Sequence, residues 1–267
     1  MSRHLSREAR NLAVTGIVTS FVSVAISLTA VQLCKEKSDE DIIAETLAAT
    51  VVTGDVHDGV GAGWFINDRG DVVTANHVID SSKKNIQVIL PNKTLADATF
   101  VCEDKAKDIT VLHVKTKNNK FIEWADSSRV VRGDRADQIG TPFSLAYSAS
   151  FGHVSAPIRQ LEDIGAPTVQ YDAATNPGNS GGPIVNGEGK LIGMSDEIYT
   201  ATFFGRNVAQ SSGVAFGVTA YAIAASLPRY LLEGNMPTFL ETQTAKRTGF
   251  HPRLEPTCLP PLARGPR

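Results

Sequence analysis

Ser180 stands in the run Asn176-Pro177-Gly178-Asn179-Ser180-Gly181-Gly182-Pro183, and its neighbours suit a nucleophile. A serine hydroxyl attacks a carbonyl well only when a base takes its proton and a third group orients that base. Gly178, Gly181 and Gly182 permit a tight backbone path that can aim the amides of Gly178 and Ser180 at one spot. Two such N–H groups make an oxyanion hole, where losing one donor costs about 10²- to 10³-fold in turnover. The plainer reading of the same run is a loop turn with an incidental serine.

Six histidines are available as the base. His4 precedes a long uncharged segment and His251 lies near the C-terminus. His57 and His153 sit beside glycines at loop or strand edges, and His113 falls inside the apolar run Ile109–Val114. His77 closes Val72-Val73-Thr74-Ala75-Asn76-His77, where a strand gives way to a single helical turn. For the orienting acid, Asp108 opens Asp108-Ile109-Thr110-Val111-Leu112. A carboxylate at the margin of so apolar a run must be paired or hydrogen-bonded to stay charged. Its neighbours Glu103, Asp104, Lys105 and Lys107 read as a solvated turn.

The chain order His77, Asp108, Ser180 is that of chymotrypsin-type and not subtilisin-type triads. Gly178-Asn179-Ser180-Gly181-Gly182 also satisfies the G-x-S-x-G elbow of α/β-hydrolases. That fold places its acid and histidine after the serine, and only His251 follows Ser180. No alternating strand–helix pattern surrounds the motif either, so the elbow reading fails.

The elements that must carry these residues are short strands. Gly63–Ile66 and Asp71–Thr74 flank the turn Asn67-Asp68-Arg69-Gly70, a hairpin signal. Further strands are expected at Asn85–Leu90, Ala98–Cys102, Ile109–Val114, Ala136–Ile139, Ser150–Ser155, Thr168–Tyr171, Pro183–Val185, Lys190–Met194 and Gly213–Val218. So many short strands without long helices between them predict an all-β barrel or sandwich. One short helix follows, with Thr219 as N-cap, and Pro228 ends it.

Residues Asn11–Leu33 carry no charge, and twenty-three helical residues reach about 34 Å, enough for a bilayer core of about 30 Å. Arg3, Arg7 and Arg10 precede the segment; Glu36, Asp39, Glu40 and Asp41 follow it. By the positive-inside tendency residues 1–10 stay in the cytoplasm and the rest is exported. An uncleaved transmembrane anchor at 11–33 is the favoured reading. A cleaved signal peptide, a lipid anchor at Cys34 and a transit peptide compete with it. Residues 34–54 then form a linker containing a short amphipathic helix, Ser38–Ala49, with Ile42, Ile43 and Leu47 on one face. Residues 236–267 read as a flexible tail.

Cys34, Cys102 and Cys258 show no metal-ligand spacing, so neither a metal nor another cofactor is expected. One disulfide is open to them, but Cys102, in an apolar run, reads as a buried free thiol. A net charge of −2 gives no reason to expect nucleic acid as a partner.

Val73-Thr74-Ala75-Asn76-His77-Val78-Ile79, Lys107-Asp108-Ile109-Thr110-Val111-Leu112 and Asp172–Pro183 resemble the three motifs of the HtrA (Deg) branch of trypsin-like serine proteases. The resemblance runs over about residues 55–235, with Ile139–Phe143, Gly152–Ala156 and Gly213–Phe216 in the expected order. It implies a double β-barrel, six strands in each, with the active site in the cleft between them. It also implies a Ser180 acyl-enzyme, with His77 as base and acid, Asp108 as orienter, and a hole formed by the amides of Gly178, Asn179 and Ser180. Arg159 takes the place of a regulatory-loop arginine, and Ala174, Thr175, Ala215 and Phe216 take that of the substrate pocket. With no acid at Ala174 or Thr175, a small or medium aliphatic P1 residue is expected rather than Lys or Arg. The implied partners are unfolded or exported polypeptides, the membrane and a possible homotrimer. The protease domain is expected outside the cytoplasm, without the PDZ domain usual in that branch. A weakly proteolytic chaperone-like or binding module of the same fold is the alternative.

Overall fold

The turn between the first two predicted strands shows how this chain folds locally. Asn67 is buried, and its side-chain Oδ1 accepts from Arg69 N at 3.0 Å and Asp71 N at 3.3 Å. Its amide donates to the Asp71 carboxylate at 2.7 Å. An asparagine that satisfies its own turn in this way fixes where the chain reverses. The hairpin it closes sits at the heart of a six-strand barrel.

A computed structural model describes residues 37–55, 59–79, 86–162, 164–198, 202–203, 206–207, 213–240 and 256–258. Residues 11–33 and Cys34, with their expected anchor, lie outside the described residues. Among the described residues no helix is long and apolar enough to cross a membrane. All of these residues except Lys37 and Ser38 belong to one unit, Asp39–Arg267.

Helix α1 (Asp39–Ala49) leads without a turn into β1 (Thr50–Asp55), followed by β2 (Gly59–Phe65) and β3 (Asp71–Ala75). Then come β4 (Ile86–Ile89), β5 (Leu95–Asp104) and β6 (Ile109–Val114). These strands close a barrel in the order β1-β2-β3-β6-β5-β4. Residues 50–54, expected to be linker, are thus a barrel strand, hidden in the sequence because no turn residue separates them from α1. The buried residues of α1 are Ile42, Thr46 and Ala49, with Ile43 and Leu47 half-buried. Thr46 can face inward because its hydroxyl bonds back to Ile42 O at 2.7 Å.

The second half comprises β7 (Asp137–Gly140), β8 (Ser148–Ser150), β9 (Val154–Gln160), β10 (Pro167–Tyr171), β11 (Pro183–Val185) and β12 (Leu191–Ile198). A separate ribbon, β13 (Thr202–Phe203) and β14 (Arg206–Asn207), precedes β15 (Ala215–Thr219) and helix α2 (Ala220–Ser226). The expected second six-strand barrel is instead a seven-stranded sheet, ordered β8-β7-β11-β12-β15-β10-β9. The reason is one bent strand. The expected strand Ser150–Ser155 splits at Phe151-Gly152, where His153 N–H turns to the Asp172 carboxylate at 2.6 Å. Its two pieces, β8 and β9, occupy opposite edges. The single bridge between Arg135 and His153 continues the β7–β8 register and links the start of β9 to the residues ahead of β7.

Two other expectations change. Cys102 is not a free thiol but is bonded to Cys258, 156 residues away. The C-terminal region is also held in places. Thr257 N and Cys258 N donate to Ser226 O at 3.1 and 3.0 Å, and Lys107 Nζ reaches Asp104, Ser226 and Thr257. Phe239 packs into the core beside Tyr221. The expected helix after Thr219 is present, with Thr219 Oγ1 accepting from Ala222 N.

Candidate active site

β3 is buried along its whole length, and the 3-10 turn Asn76–Val78 at its end lifts His77 out of the sheet. Asn76 anchors that turn: its N–H donates to Asp108 O at 3.0 Å, and its side chain to Glu103 Oε2 and Thr110 Oγ1. Asp108 occupies the left-handed region (φ 56, ψ 40) as the C-cap of the turn Lys105–Lys107. Aspartate is one of the few side chains that tolerate this conformation, and here it points the carboxylate back at His77.

The pair is joined twice. His77 N donates to Asp108 Oδ1 at 2.8 Å, and His77 Nδ1 meets Asp108 Oδ2 at 2.6 Å. An ionised carboxylate only accepts, so Nδ1 carries the proton and Nε2 is left as the basic nitrogen. The hydrogen bond from Asp108 raises the His77 pKa above the ordinary 6.5; burial opposes this, and the charges of Asp108 and Asp196 reinforce it. The ring keeps an open side, with 51% of the side chain exposed.

The Ser180 turn is tied to both halves of the fold. Ala62 N on β2 donates to Ser180 O at 2.9 Å, and Gly181 N to Ser195 O on β12 at 2.8 Å. Gly181 has φ +81, and a Cβ there would stand 2.2 Å from Ala62 O, so only glycine permits this seam. Ser180 Oγ donates, at a long 3.4 Å, to the main-chain carbonyl of Asp196. Among the described residues no hydrogen bond joins Ser180 to His77.

The amides ahead of Ser180 differ from one another. Phe143 N donates to Pro177 O at 2.9 Å and Thr141 N to Gly178 O at 3.2 Å. In a trans peptide the N–H opposes the carbonyl, so Gly178 N–H is turned away from Phe143. Neither Gly178 N–H nor Ser180 N–H donates to any described residue, which leaves two donors for an oxygen. Asn179 does not add a third: its N–H is held by Asn176 O at 3.0 Å, and this corrects its expected place in the hole. Gly178 has φ +100, and a Cβ there would lie 2.2 Å from Thr141 O.

Of the expected pocket residues, Ala174 is exposed, while Thr175, Ala215 and Phe216 are buried. Thr175 Oγ1 lies 2.6 Å from Gln138 Oε1 and 3.2 Å from Tyr171 OH, and Tyr171 OH reaches Ser195 Oγ at 3.1 Å. Burial pushes the Tyr171 phenol up to about 12, so this network stays neutral. Arg159 is exposed on β9, and its Nε donates to Gln170 at 3.0 Å; among the described residues no hydrogen bond joins it to Gly178 or Ser180.

Asp196 was missed in the sequence. A ring nitrogen of His77 and carboxylate oxygens of Asp108 and Asp196 all lie within 4.8 Å of one another. His77 Nδ1 and Asp108 are already engaged with each other, so the group is a hydrogen-bonded pair with a third carboxylate beside it. The only local signal was an acid directly after the strand residue Ser195.

With this geometry in hand, the chain compares clearly with known proteins. A family model described as "Trypsin-like peptidase domain" matches residues 61–194. A "Probable periplasmic serine endoprotease DegP-like" from Marinomonas sp. (strain MWYL1) is 36% identical over 162 residues, covering 60% of this chain and 34% of that protein. "Protease Do-like 1, chloroplastic" from Arabidopsis thaliana is 32% identical over 203 residues, covering 72% of this chain and 45% of its own length. The chain therefore spans about a third to under half of the curated relatives it matches. Among solved structures, "HtrA-type protease AlgW with tripeptide" superposes with a TM-score of 0.65 at 26% identity, over 74% of this chain and 65% of that one.

Proposed function

The chain belongs to the trypsin-like peptidase family, with HtrA-type proteases among its relatives, and from that premise we propose that it is a serine endopeptidase using Ser180, His77 and Asp108. The observation that carries this reading is the pair of hydrogen bonds that the Asp108 carboxylate accepts from the main chain and ring of His77, at 2.8 and 2.6 Å. It fixes the tautomer and leaves Nε2 to take the Ser180 proton as the hydroxyl adds to a peptide carbonyl. The amides of Gly178 and Ser180 receive the developing oxyanion. His77 returns the proton to the leaving amine, and water then releases the acyl group from Ser180.

The substrates are polypeptides, unfolded or exported, with a small or medium aliphatic P1 residue. The absence of an acid at Ala174 or Thr175 supports that preference. The protease domain works outside the cytoplasm, held by an anchor at 11–33. The Cys102–Cys258 disulfide supports an oxidising compartment, and the word "periplasmic" in the Marinomonas relative's name points the same way. Casein cleavage tests the reading: wild type should cleave and Ser180→Ala should lose about 10⁶-fold in turnover. Equal activity in both would remove Ser180 from the mechanism.

A further inference from the structure

Strand β12 does not run straight past the active site. Ser195 pairs with Gly217 on β15, but the next registered pair is Glu197 with Phe216, so the ladder slips at Asp196. A bulge of this kind re-aims the extra residue. Asp196 is placed so that both of its functional ends face the site. Its main-chain carbonyl takes the Ser180 hydroxyl, and its carboxylate lies within 4.8 Å of a His77 ring nitrogen and of the Asp108 carboxylate.

We propose that Asp196 is a positioning residue that acts on the reaction through His77, setting a second acid beside the His77–Asp108 pair and stabilising the imidazolium formed when His77 takes the Ser180 proton. The inference rests on the endopeptidase reading and adds a residue to it. Its physical basis is charge. Two carboxylates near one imidazole favour the protonated ring, and solvent at the half-exposed ring screens part of that field.

Among the described residues, the charged side chains of the neighbouring β5 and the turn before β6 are engaged elsewhere. From β5, Glu103 is bonded by Asn76 and paired with Lys105 at 3.3 Å. On the turn before β6, Lys107 is turned to Asp104 at 2.8 Å. Among the described residues, Asp108 and Asp196 are the acids whose charges raise the ring's proton affinity.

The sign follows. An acid that favours the imidazolium delays the appearance of free base as pH rises, so the acid limb of the wild-type rate profile has its midpoint above 6.5. Removing Asp196's charge lowers that midpoint. It also lowers the high-pH plateau of kcat, because the imidazolium of the transition state loses one neighbour. A merely structural role would reduce activity without moving the midpoint.

The experiment is a titration of the His77 ring by NMR in the full-length chain carrying Ser180→Ala, with and without Asp196→Asn. Rate profiles of the corresponding Ser180-containing proteins run beside it. We expect a downward shift of the His77 midpoint in Asp196→Asn, the same shift in Asp196→Ser, and a near wild-type midpoint in Asp196→Glu. An unmoved or raised midpoint in folded Asp196→Asn or Asp196→Ser protein overturns the proposal. The NMR readout needs no turnover, so a failure of the endopeptidase reading would show in the rates alone and remain distinguishable.

Discussion

The two halves of the fold hold their proposed catalytic groups in different ways. The first is a barrel closed strand to strand, and it delivers His77 and Asp108 already bonded to each other twice. The second is a seven-stranded sheet whose edge strands β8 and β9 meet through one bend, where backbone hydrogen bonds from Gly133, Ala136 and Val154 join them to the residues ahead of β7. It delivers Ser180, the Gly178 amide and Asp196 from loops and a bulge. Residues at positive φ gather beside this half of the site: Phe143, Ser144 and Tyr147 in the loop after β7, and Gly178 and Gly181 around Ser180. Ser180 Oγ reaches the Asp196 carbonyl at a long 3.4 Å, against 2.6 Å for the His77–Asp108 contact. The proposed acid–base pair sits on two short turns beside buried barrel strands and is held by its own two hydrogen bonds. The proposed nucleophile and oxyanion donors depend on the backbone path around Gly178 and Gly181.

That contrast can be broken from either side. The largest effect within the first half should come from Asp108→Asn, which loses the tautomer-fixing acceptor and drops kcat by about 10⁴-fold with the fold retained. Steady-state kinetics beside a circular-dichroism melt checks this, and a loss under tenfold would deny Asp108 its role. Next comes Cys258→Ser. The disulfide closes a loop of 156 residues between β5 and the C-terminal segment, and chain entropy puts its contribution at up to about 5 kcal/mol. Denaturant unfolding should show a lower midpoint in Cys258→Ser, while an unchanged midpoint would mean that the bond adds no stability. Gly178→Ala should have the smallest effect, about 10²- to 10³-fold in kcat. Its Cβ would meet Thr141 O and force the Gly178 amide to move, while the His77 NMR titration stays in place because the other half is untouched. A Gly178→Ala enzyme with wild-type kcat would show that this amide does no work in the hole.

The proposed catalytic groups could be picked out from the sequence because the signals that mark them are local. Glycines must flank Ser180, His77 must end a strand, and Asp108 must open one. The hairpin turn at Asn67 and the N-cap at Thr219 were legible for the same reason. What escaped depends on distant or register-level geometry. Strand β1 follows α1 with no intervening turn residue, so nothing marks its start. Cys102 and Cys258 are too far apart for spacing to suggest a pair. Asn179 shares a motif with Gly178 and Ser180, yet its N–H bonds back to Asn176, which only the turn's conformation decides. Asp196 reaches His77 only because the β12–β15 register slips at that residue. The same limit explains the second half of the fold, where one predicted strand became two edges.

The central claim is that Ser180 is a nucleophile activated by the His77–Asp108 pair. The most direct measurement is covalent labelling with an organophosphorus fluoride, read by peptide mass mapping in wild type, His77→Ala and Asp108→Asn. The account predicts a single adduct on Ser180 in wild type, forming faster as pH rises, and almost none in the two variants. An adduct on another residue, or labelling of Ser180 at the same rate without His77, would contradict it.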